Sequence, residues 1–266
     1  MKIISIYNAK GGVGKTTTVI NLSAALSSRG HNVLAVDLDA QGNLSLASGI
    51  EPEEVELSMA DAIVDAISDV ENGYETLEQA TYHSNSDNID IIPSNYNLIN
   101  VEFLEMVNEL ENINAMKSLF SKTDYDYIIM DLPPNINNML NMAFHASDCI
   151  IIPTEEKVYS YRAIGLTRKV LEGYKSLTGL DVDILGVLIT KSETDKSSLD
   201  MRDVIEEYCE KENIPLFPVR IPKNNKVSEV SGATGVSAVN IKRTGRPPDF
   251  IQAYKRLAGD IERRFK

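Results

Sequence analysis

The feature that most constrains the fold of this chain lies in residues 2–18, where an apolar run changes abruptly into a glycine-rich turn. The run Ile-Ile-Ser-Ile-Tyr at 3–7 is typical of a strand, and residues 17–28 place apolar side chains at helical spacing. The turn between them therefore leads into a helix N-terminus. The free backbone N–H groups of such a terminus form an anion-binding site.

The turn itself has the composition of a phosphate-binding loop. Three glycines leave backbone N–H groups accessible to a polyphosphate, Lys15 supplies a positive charge, and Thr16 supplies a hydroxyl for Mg²⁺. The usual pattern has a glycine where this chain has Ala9, and an additional lysine, Lys10, precedes the glycine pair. The predicted phosphate-binding residues are Gly11, Gly12, Val13, Gly14, Lys15, Thr16 and Thr17.

The sequence Lys-Gly-Gly-Val-Gly-Lys-Thr-Thr at 10–17 resembles the deviant phosphate loop of the ParA/MinD family of ATPases. The resemblance implies that the chain binds ATP or ADP with Mg²⁺. It also implies that Lys10 reaches the phosphates of a second subunit in an ATP-dependent homodimer. The alternative is a chance glycine-rich turn between a strand and a helix.

Two further apolar runs end in aspartates. Residues 32–36 are typical of a strand buried on both faces, and they lead into Asp37 and Asp39; residues 125–131 end at Asp131 in the form of a Walker B segment. By resemblance to the family, Asp37 and Asp131 act with Thr16 at the metal, whereas Asp39 positions the attacking water and is catalytic together with Lys10 and Lys15. A polar turn after a strand is the alternative for both segments.

The adenine contacts are predicted by resemblance alone. Residues 182–190 indicate another central strand. The residues that fall where the family holds the base are Thr190, Lys191, Arg220 and Pro222. Polar residues at strand ends and prolines are common in loops of every function, so a purely structural role stays open for these four.

Alternating strands and helices predict an α/β fold with a doubly wound, mostly parallel sheet flanked by helices, of the P-loop NTPase type. We expect a single domain over 1–266, in which 51–112 is an acidic, largely helical insertion. Outside the motifs we predict short strands at 88–92 and 215–219, a strand at 146–154, and helices at 59–67, 98–110, 160–177, 197–212 and 250–265.

The charge is unevenly distributed. The net charge is −13 and no Lys or Arg occurs between Arg29 and Lys117, yet residues 213–248 carry a net charge of +5. A local cluster of Lys and Arg side chains can bind the phosphate backbone of a nucleic acid. Besides Arg220, the predicted DNA contacts are Lys223, Lys226, Lys242, Arg243 and Arg246. Cations that merely solvate loops or pair with the acidic segment are the alternative.

Several classes of protein are disfavoured. The sequence has neither a bilayer-length apolar run nor a signal-peptide pattern, which predicts a cytoplasmic location. Cys149 and Cys209 lack metal-ligand spacing, do not match the ligand positions of iron–sulfur reductases with similar loops, and are predicted to be buried. Because the chain starts at its first strand, we expect no N-terminal helix-turn-helix for operator binding.

These observations predict a ParA-like ATPase of DNA partition. Its ATP dimer would bind DNA without sequence preference, associate with the nucleoid, and release DNA when a ParB-like centromere-binding protein stimulates hydrolysis. The alternatives are a MinD-like membrane-recruited ATPase and a weakly hydrolysing regulator. The basic tail has only Ile261 and Phe265 as apolar contacts, so we expect no stable membrane anchoring.

Overall fold

The computed structural model describes residues 1–84, 86–95, 98, 110–224, 236–240 and 248–265. In this part of the chain one sheet of seven strands has the order β3-β4-β2-β5-β1-β6-β7. The strands are β1 (Lys2–Ile6), β2 (Val33–Asp37), β3 (Tyr82–Ser84), β4 (Ile89–Ile92), β5 (Tyr127–Asp131), β6 (Cys149–Glu155) and β7 (Asp183–Thr190).

All neighbouring strands run parallel except β3, which pairs antiparallel with β4 at the edge of the sheet. The four strands in the middle of the sheet are β2, β5, β1 and β6, and nearly all of their residues are buried. Helices cover both faces, so residues of either parity along a strand must be apolar. The predicted doubly wound, mostly parallel sheet is confirmed.

The described helices lie in two layers, one on each face of the sheet. They are α1 (Lys15–Ser27), α2 (Asn43–Ala47), α3 (Met59–Ser68), α4 (Val70–Gln79), α5 (Ala115–Phe120), α6 (Asn138–Ala146), α7 (Ser160–Thr178), α8 (Lys196–Lys211) and α9 (Asp249–Arg264), with 3₁₀ turns at Pro52–Glu54 and Leu110–Asn114. Helices α1 and α9 share one apolar core with residues such as Ile4 and Ile129, while α3, α6 and α7 share the other with residues such as Val36 and Met130. No described helix is both long and apolar enough to cross a bilayer.

The acidic segment 51–112 contributes directly to the central sheet. Its β4 pairs with β2 in parallel. Its α3 begins with a capping box in which Ser58 and Asp61 form reciprocal hydrogen bonds. Apolar residues of α3 belong to the same core as β2 and β5. The helix predicted at 98–110 lies, apart from its two ends, outside the described residues.

One predicted element is wrong. The segment 215–219 forms no strand and makes only an isolated bridge between Leu216 and Val187 of β7. Pro215 and Pro218 have no N–H to donate, so the ladder cannot extend in either direction.

Both cysteines are buried free thiols, as predicted. Burial raises the pKa of Cys149 to about 12 and that of Cys209 to about 11. Neither thiol therefore has reactive thiolate character at neutral pH.

Candidate functional site

The glycine-rich turn lies where β1 ends and α1 begins, at the carboxyl edge of the sheet. Gly12 and Gly14 have φ angles of 75° and 86°, left-handed values that a side chain would strain. Gly14 occupies the N-cap position of α1 without any side-chain cap. No described residue accepts a hydrogen bond from the N–H groups of residues 11–14, so these donors are left for an anion.

Asn8 organises the start of this loop, a role that the sequence did not reveal. Its side chain donates to the carbonyl of Pro153 at 2.8 Å and accepts from the N–H of Lys10 at 2.9 Å. The N–H of Ala9 donates to the Thr167 hydroxyl at 3.3 Å. These contacts join the loop to β6 and α7. The signal was an amide residue directly after the strand, which is too common in turns to be diagnostic.

Lys15 is a buried cation, since its exposed fraction is only 8%. Burial lowers its pKa, although the charges of Asp131 and Asp39 act in the opposite direction. The only described hydrogen-bond acceptor of its ammonium is the Asn8 carbonyl, at 3.4 Å. A buried ammonium with one long contact is stabilised by any anion that enters the loop.

Asp131 and Asp37 lie side by side because β5 and β2 pair in register there. Asp131 accepts a 2.6 Å hydrogen bond from the Thr16 hydroxyl on Oδ2, while its buried Oδ1 has no described partner. Burial, and then the charge of Asp37, raises the pKa of Asp131 well above its ordinary value. Burial also raises the pKa of Asp37 to about 6. Two buried carboxylates in this position attract a cation.

Asp37 is held in place by the turn that follows β2. Its Oδ2 accepts hydrogen bonds from the N–H and hydroxyl of Ser45 at 2.9 and 2.8 Å, and its Oδ1 accepts from the N–H of Asp39 at 3.1 Å. Gly42 has a φ of 63°, and a Cβ there would lie 2.4 Å from Pro52 Cγ. Asp39 is half-buried on the same turn. Sequence reasoning missed Ser45, although it lies near the start of a helix directly after this turn.

The arrangement fits a magnesium ion. Thr16, Asp37 and Asp131 provide hydroxyl and carboxylate oxygens, the donors that Mg²⁺ prefers. Within the described ranges no group of three or more His, Cys, Asp and Glu side chains forms a metal site by itself. Binding would thus depend on water and phosphate oxygens as further ligands, and the bound ion would neutralise phosphate charge.

A small cavity of about 60 Å³ lies beside Gly14. Its lining includes the predicted Thr17, Thr190, Lys191 and Pro222 and also Phe250 and Tyr254, whose rings pack edge to face at 5.1 Å. Both aromatic residues lie in the helix predicted at 250–265 and were not among the predicted nucleotide contacts. They belong to the core and to the cavity wall together, and no periodicity distinguishes these roles.

Arg220 does not line this cavity. Its guanidinium lies 3.7 Å from the carboxylate of Glu206, in a groove along α9. Its neighbours Val219 and Ile221 are buried, and in extended chain the intervening side chain points to the opposite side. The structure therefore brings together every predicted nucleotide-contacting residue except Arg220.

The cations predicted for DNA are only partly described. Lys223 forms an ion pair with Glu193 at 2.5 Å, whereas Lys226, Lys242, Arg243 and Arg246 lie outside the described residues. Lys10 is half-buried, and among the described residues its ammonium has no ion-pair or hydrogen-bond partner.

Comparison with known proteins finds relatives that match most of the chain. The family model described as "AAA domain" matches residues 1–178. The sporulation initiation inhibitor protein Soj of Bacillus subtilis is 34% identical over 230 residues, which are 86% of this chain and 87% of Soj. The chromosome partitioning protein ParA of Caulobacter vibrioides is 27% identical over 268 residues, covering 98% of this chain and 94% of ParA.

Among solved structures, cobyrinic acid a,c-diamide synthase from Mycobacterium smegmatis with a bound ATP analogue and magnesium has a TM-score of 0.80. It is 24% identical and the match covers 100% of this chain and 96% of the synthase. At this level of identity the match shows the fold alone. That fold is the predicted P-loop NTPase architecture.

Proposed function

This chain belongs to the ParA/MinD family of P-loop ATPases, and we propose that it is a DNA-partition ATPase of the ParA and Soj type that hydrolyses ATP with Mg²⁺. The observation that carries the proposal is the combination of loop N–H groups that have no acceptor among the described residues with the buried Lys15 and the buried carboxylate of Asp131. Each of these groups lacks the partner that a magnesium-bound polyphosphate would supply.

The chemistry requires positioning and charge neutralisation rather than a covalent intermediate. The N–H groups of residues 11–14 and the ammonium of Lys15 bind phosphate oxygens of ATP or ADP. Thr16, Asp37 and Asp131 hold the metal shell. Asp39 accepts a hydrogen bond from the attacking water and orients it toward the terminal phosphorus.

The same edge of the sheet supports an ATP-dependent homodimer. Lys10 has no described partner in its own subunit, as expected of a residue that contacts phosphate in a second one. Large apolar side chains are exposed in the loops after β5 and β6, with exposed fractions of 68% for Ile136, 59% for Val158 and 58% for Tyr159. Exposed apolar groups around a site favour an interface.

The Lys10→Ala variant tests this proposal. We expect it to bind ATP as a monomer with nearly unchanged affinity while failing to dimerise with ATP, because its contact is to the other subunit. Sedimentation velocity with and without ATP measures the change. Lys169→Ala removes an exposed lysine of α7 and serves as the matched control. Dimerisation of Lys10→Ala like the wild type would contradict the cross-subunit role.

We further propose that the dimer binds DNA without sequence preference and associates with the nucleoid in the cytoplasm. A centromere-binding partner of the ParB type would stimulate hydrolysis and release. The local charge of +5 at 213–248 supports this, since a dimer presents the cluster twice. A second basic surface on α9 includes Lys255 and Arg256, neither of which is ion-paired with a described residue.

A pair of double variants distinguishes the two surfaces. If residues 242 and 243 contact phosphates, Lys242→Ala/Arg243→Ala reduces the slope of log affinity against log salt by about 0.9 per lost contact. Lys255→Ala/Arg256→Ala then keeps the wild-type slope. Fluorescence anisotropy with unrelated duplexes measures both. Unchanged DNA affinity of the first variant at every salt concentration would exclude the 213–248 cluster.

The C-terminal helix argues against a membrane-recruited relative. Ile261 is fully buried, and Phe265 packs against the same core with the ammonium of Lys2 lying 5.1 Å from its ring centroid. The two apolar contacts of the basic tail are thus used inside the protein. Co-sedimentation with anionic vesicles checks this, and vesicle binding that requires ATP would favour the membrane alternative instead.

A further inference from the structure

Glu155, at the end of β6, is a buried carboxylate that the scheme above does not use. Its side chain is only 5% exposed, and it binds two ammonium groups: Lys191 at 2.7 Å on Oε1 and Lys157 at 2.5 Å on Oε2. Burial alone would raise the pKa of Glu155, but the hydrogen bonds from the two lysines hold it below its ordinary value. The carboxylate is therefore charged and fixed at neutral pH.

Lys191 connects this carboxylate to the glycine-rich loop. The same ammonium donates a hydrogen bond to the carbonyl of Gly12. The preceding residue, Thr190, places its hydroxyl 2.7 Å from the carbonyl of Val13. The backbone of Lys191 has a φ of 50°, a left-handed value that a lysine adopts only when its surroundings impose it. Two consecutive side chains thus hold two consecutive loop carbonyls.

The geometry of the peptide group gives these contacts a consequence. In a planar trans peptide, the carbonyl of one residue and the N–H of the next point in opposite directions. When Lys191 and Thr190 hold the carbonyls of Gly12 and Val13, the N–H groups of Val13 and Gly14 must face away from them. Neither N–H has a described acceptor.

We propose that Glu155 and Lys191 form a positioning pair that orients the loop N–H groups before nucleotide binds. This inference rests on the proposed function, because it concerns the same phosphate site. Lys191 acts here as a clamp on the protein backbone rather than as a ligand of adenine or phosphate. The ion pair with Glu155 offsets part of its charge and directs its ammonium to Gly12.

A probe without a base separates the clamp from an adenine contact. We would titrate the full-length protein with magnesium tripolyphosphate and with Mg-ATP by calorimetry. Lys191→Met is expected to weaken both ligands by the same factor, at least about tenfold, since one charged hydrogen bond to the loop is lost. Lys157→Met removes the other lysine of Glu155 without touching the loop, and its affinities are expected to stay within about twofold of wild type.

The Glu155→Gln variant separates the clamp from a direct phosphate contact. If the carboxylate holds Lys191 on Gly12, its loss weakens tripolyphosphate binding. If Lys191 instead binds phosphate directly, its release from the Glu155 carboxylate strengthens tripolyphosphate binding. That result would show that the proposal is wrong. Lys191→Arg retains a donor and is expected to restore part of the affinity. Thermal unfolding without ligand verifies that all four variants are folded.

Three further results would overturn the proposal. They are wild-type tripolyphosphate affinity in Lys191→Met, a loss for ATP without a loss for tripolyphosphate, and an equal loss in Lys157→Met. Failure of the wild-type protein to bind either ligand would instead refute the proposed ATPase function, so the two failures are distinguishable.

Discussion

Charged groups differ between the two edges of the central sheet, the carboxyl ends and the amino ends of its strands. At the carboxyl edge, Lys15, Asp37 and Asp131 are buried. Burial lowers the pKa of Lys15 and raises the pKa values of Asp37 and Asp131, so in each case it favours the neutral form. At the amino edge, Glu262 pairs with Arg29 at 2.5 Å and with His31 at 2.8 Å. Hydrogen bonding to Arg29 lowers the pKa of Glu262 to about 2.

The difference separates charges that bind ligand from charges that stabilise the fold. Charged groups at the amino edge are satisfied within the protein, so their removal should cost stability. Lys15, Asp37 and Asp131 lack full compensation until a ligand arrives, so their removal should weaken binding and leave the unliganded fold as stable or more stable. Four substitutions test this contrast.

Lys15→Ala is expected to have the largest effect. The phosphates of ATP lose a buried counter-charge, so the free energy of ATP binding should become less favourable by about 3 kcal/mol or more. Binding should then be too weak to detect in practice. The free energy of unfolding without nucleotide should not decrease, because a desolvated charge has been removed. Calorimetry with ATP and urea denaturation measure the two quantities. An ATP affinity within tenfold of wild type would contradict the role of Lys15 as a ligand-binding charge.

Asp39→Ala sharpens the contrast, because Asp39 is half-buried and makes no hydrogen bond to the loop among the described residues. We expect stimulated hydrolysis to fall at least about a hundredfold, since the water-orienting carboxylate is lost. ATP binding should persist and the ATP dimer should accumulate. Phosphate release assays and sedimentation measure these changes. Unchanged turnover would transfer the catalytic role to Asp37 or Asp131.

Asp131→Asn should stabilise the unliganded protein by roughly 2 kcal/mol at pH 7.5, because it removes one of two adjacent buried carboxylates. The raised pKa means that the contribution of Asp131 to stability is fully present below the unfolded pKa, about 4, and is lost as pH rises through the folded pKa. The gain of the variant should therefore vanish at acidic pH. Urea denaturation across pH measures it, and a loss of stability at pH 7.5 would contradict the interpretation.

Glu262→Gln is expected to have the smallest effect, of opposite sign. It should destabilise the protein by about 1 kcal/mol at pH 7, because a surface ion pair is screened by solvent. The lowered pKa means that this contribution is present above about 4.5, the unfolded value, and is lost as pH falls through about 2. High salt should shrink the effect. ATP binding should not change, and any change would link the two edges.

Much of the fold could be predicted because local signals agreed with it. The predicted helices at 59–67, 160–177 and 197–212 lie within one or two residues of α3, α7 and α8. The strand predicted at 215–219 is wrong because Pro215 and Pro218 lack the backbone N–H groups that a ladder needs, and an apolar pattern does not reveal this.

The chemistry of the loop follows from residues that are adjacent along the chain. Glycines, two lysines and a threonine in fixed order specify an anion site at a helix start, because this chemistry depends on neighbours along the chain. The two aspartates at strand ends were identified in the same way, since parallel strands bring their carboxyl ends to one edge.

Tertiary packing, by contrast, selects the side chains that complete the site. Ser45 on Asp37, Asn8 on the loop, and Glu155 with Lys191 on the Gly12 carbonyl all bridge segments that are distant in the chain or common in turns. It also directed Arg220 away, since burial of its two neighbours fixes its side. Such contacts depend on strand register and packing between elements, and local sequence patterns carry no record of either.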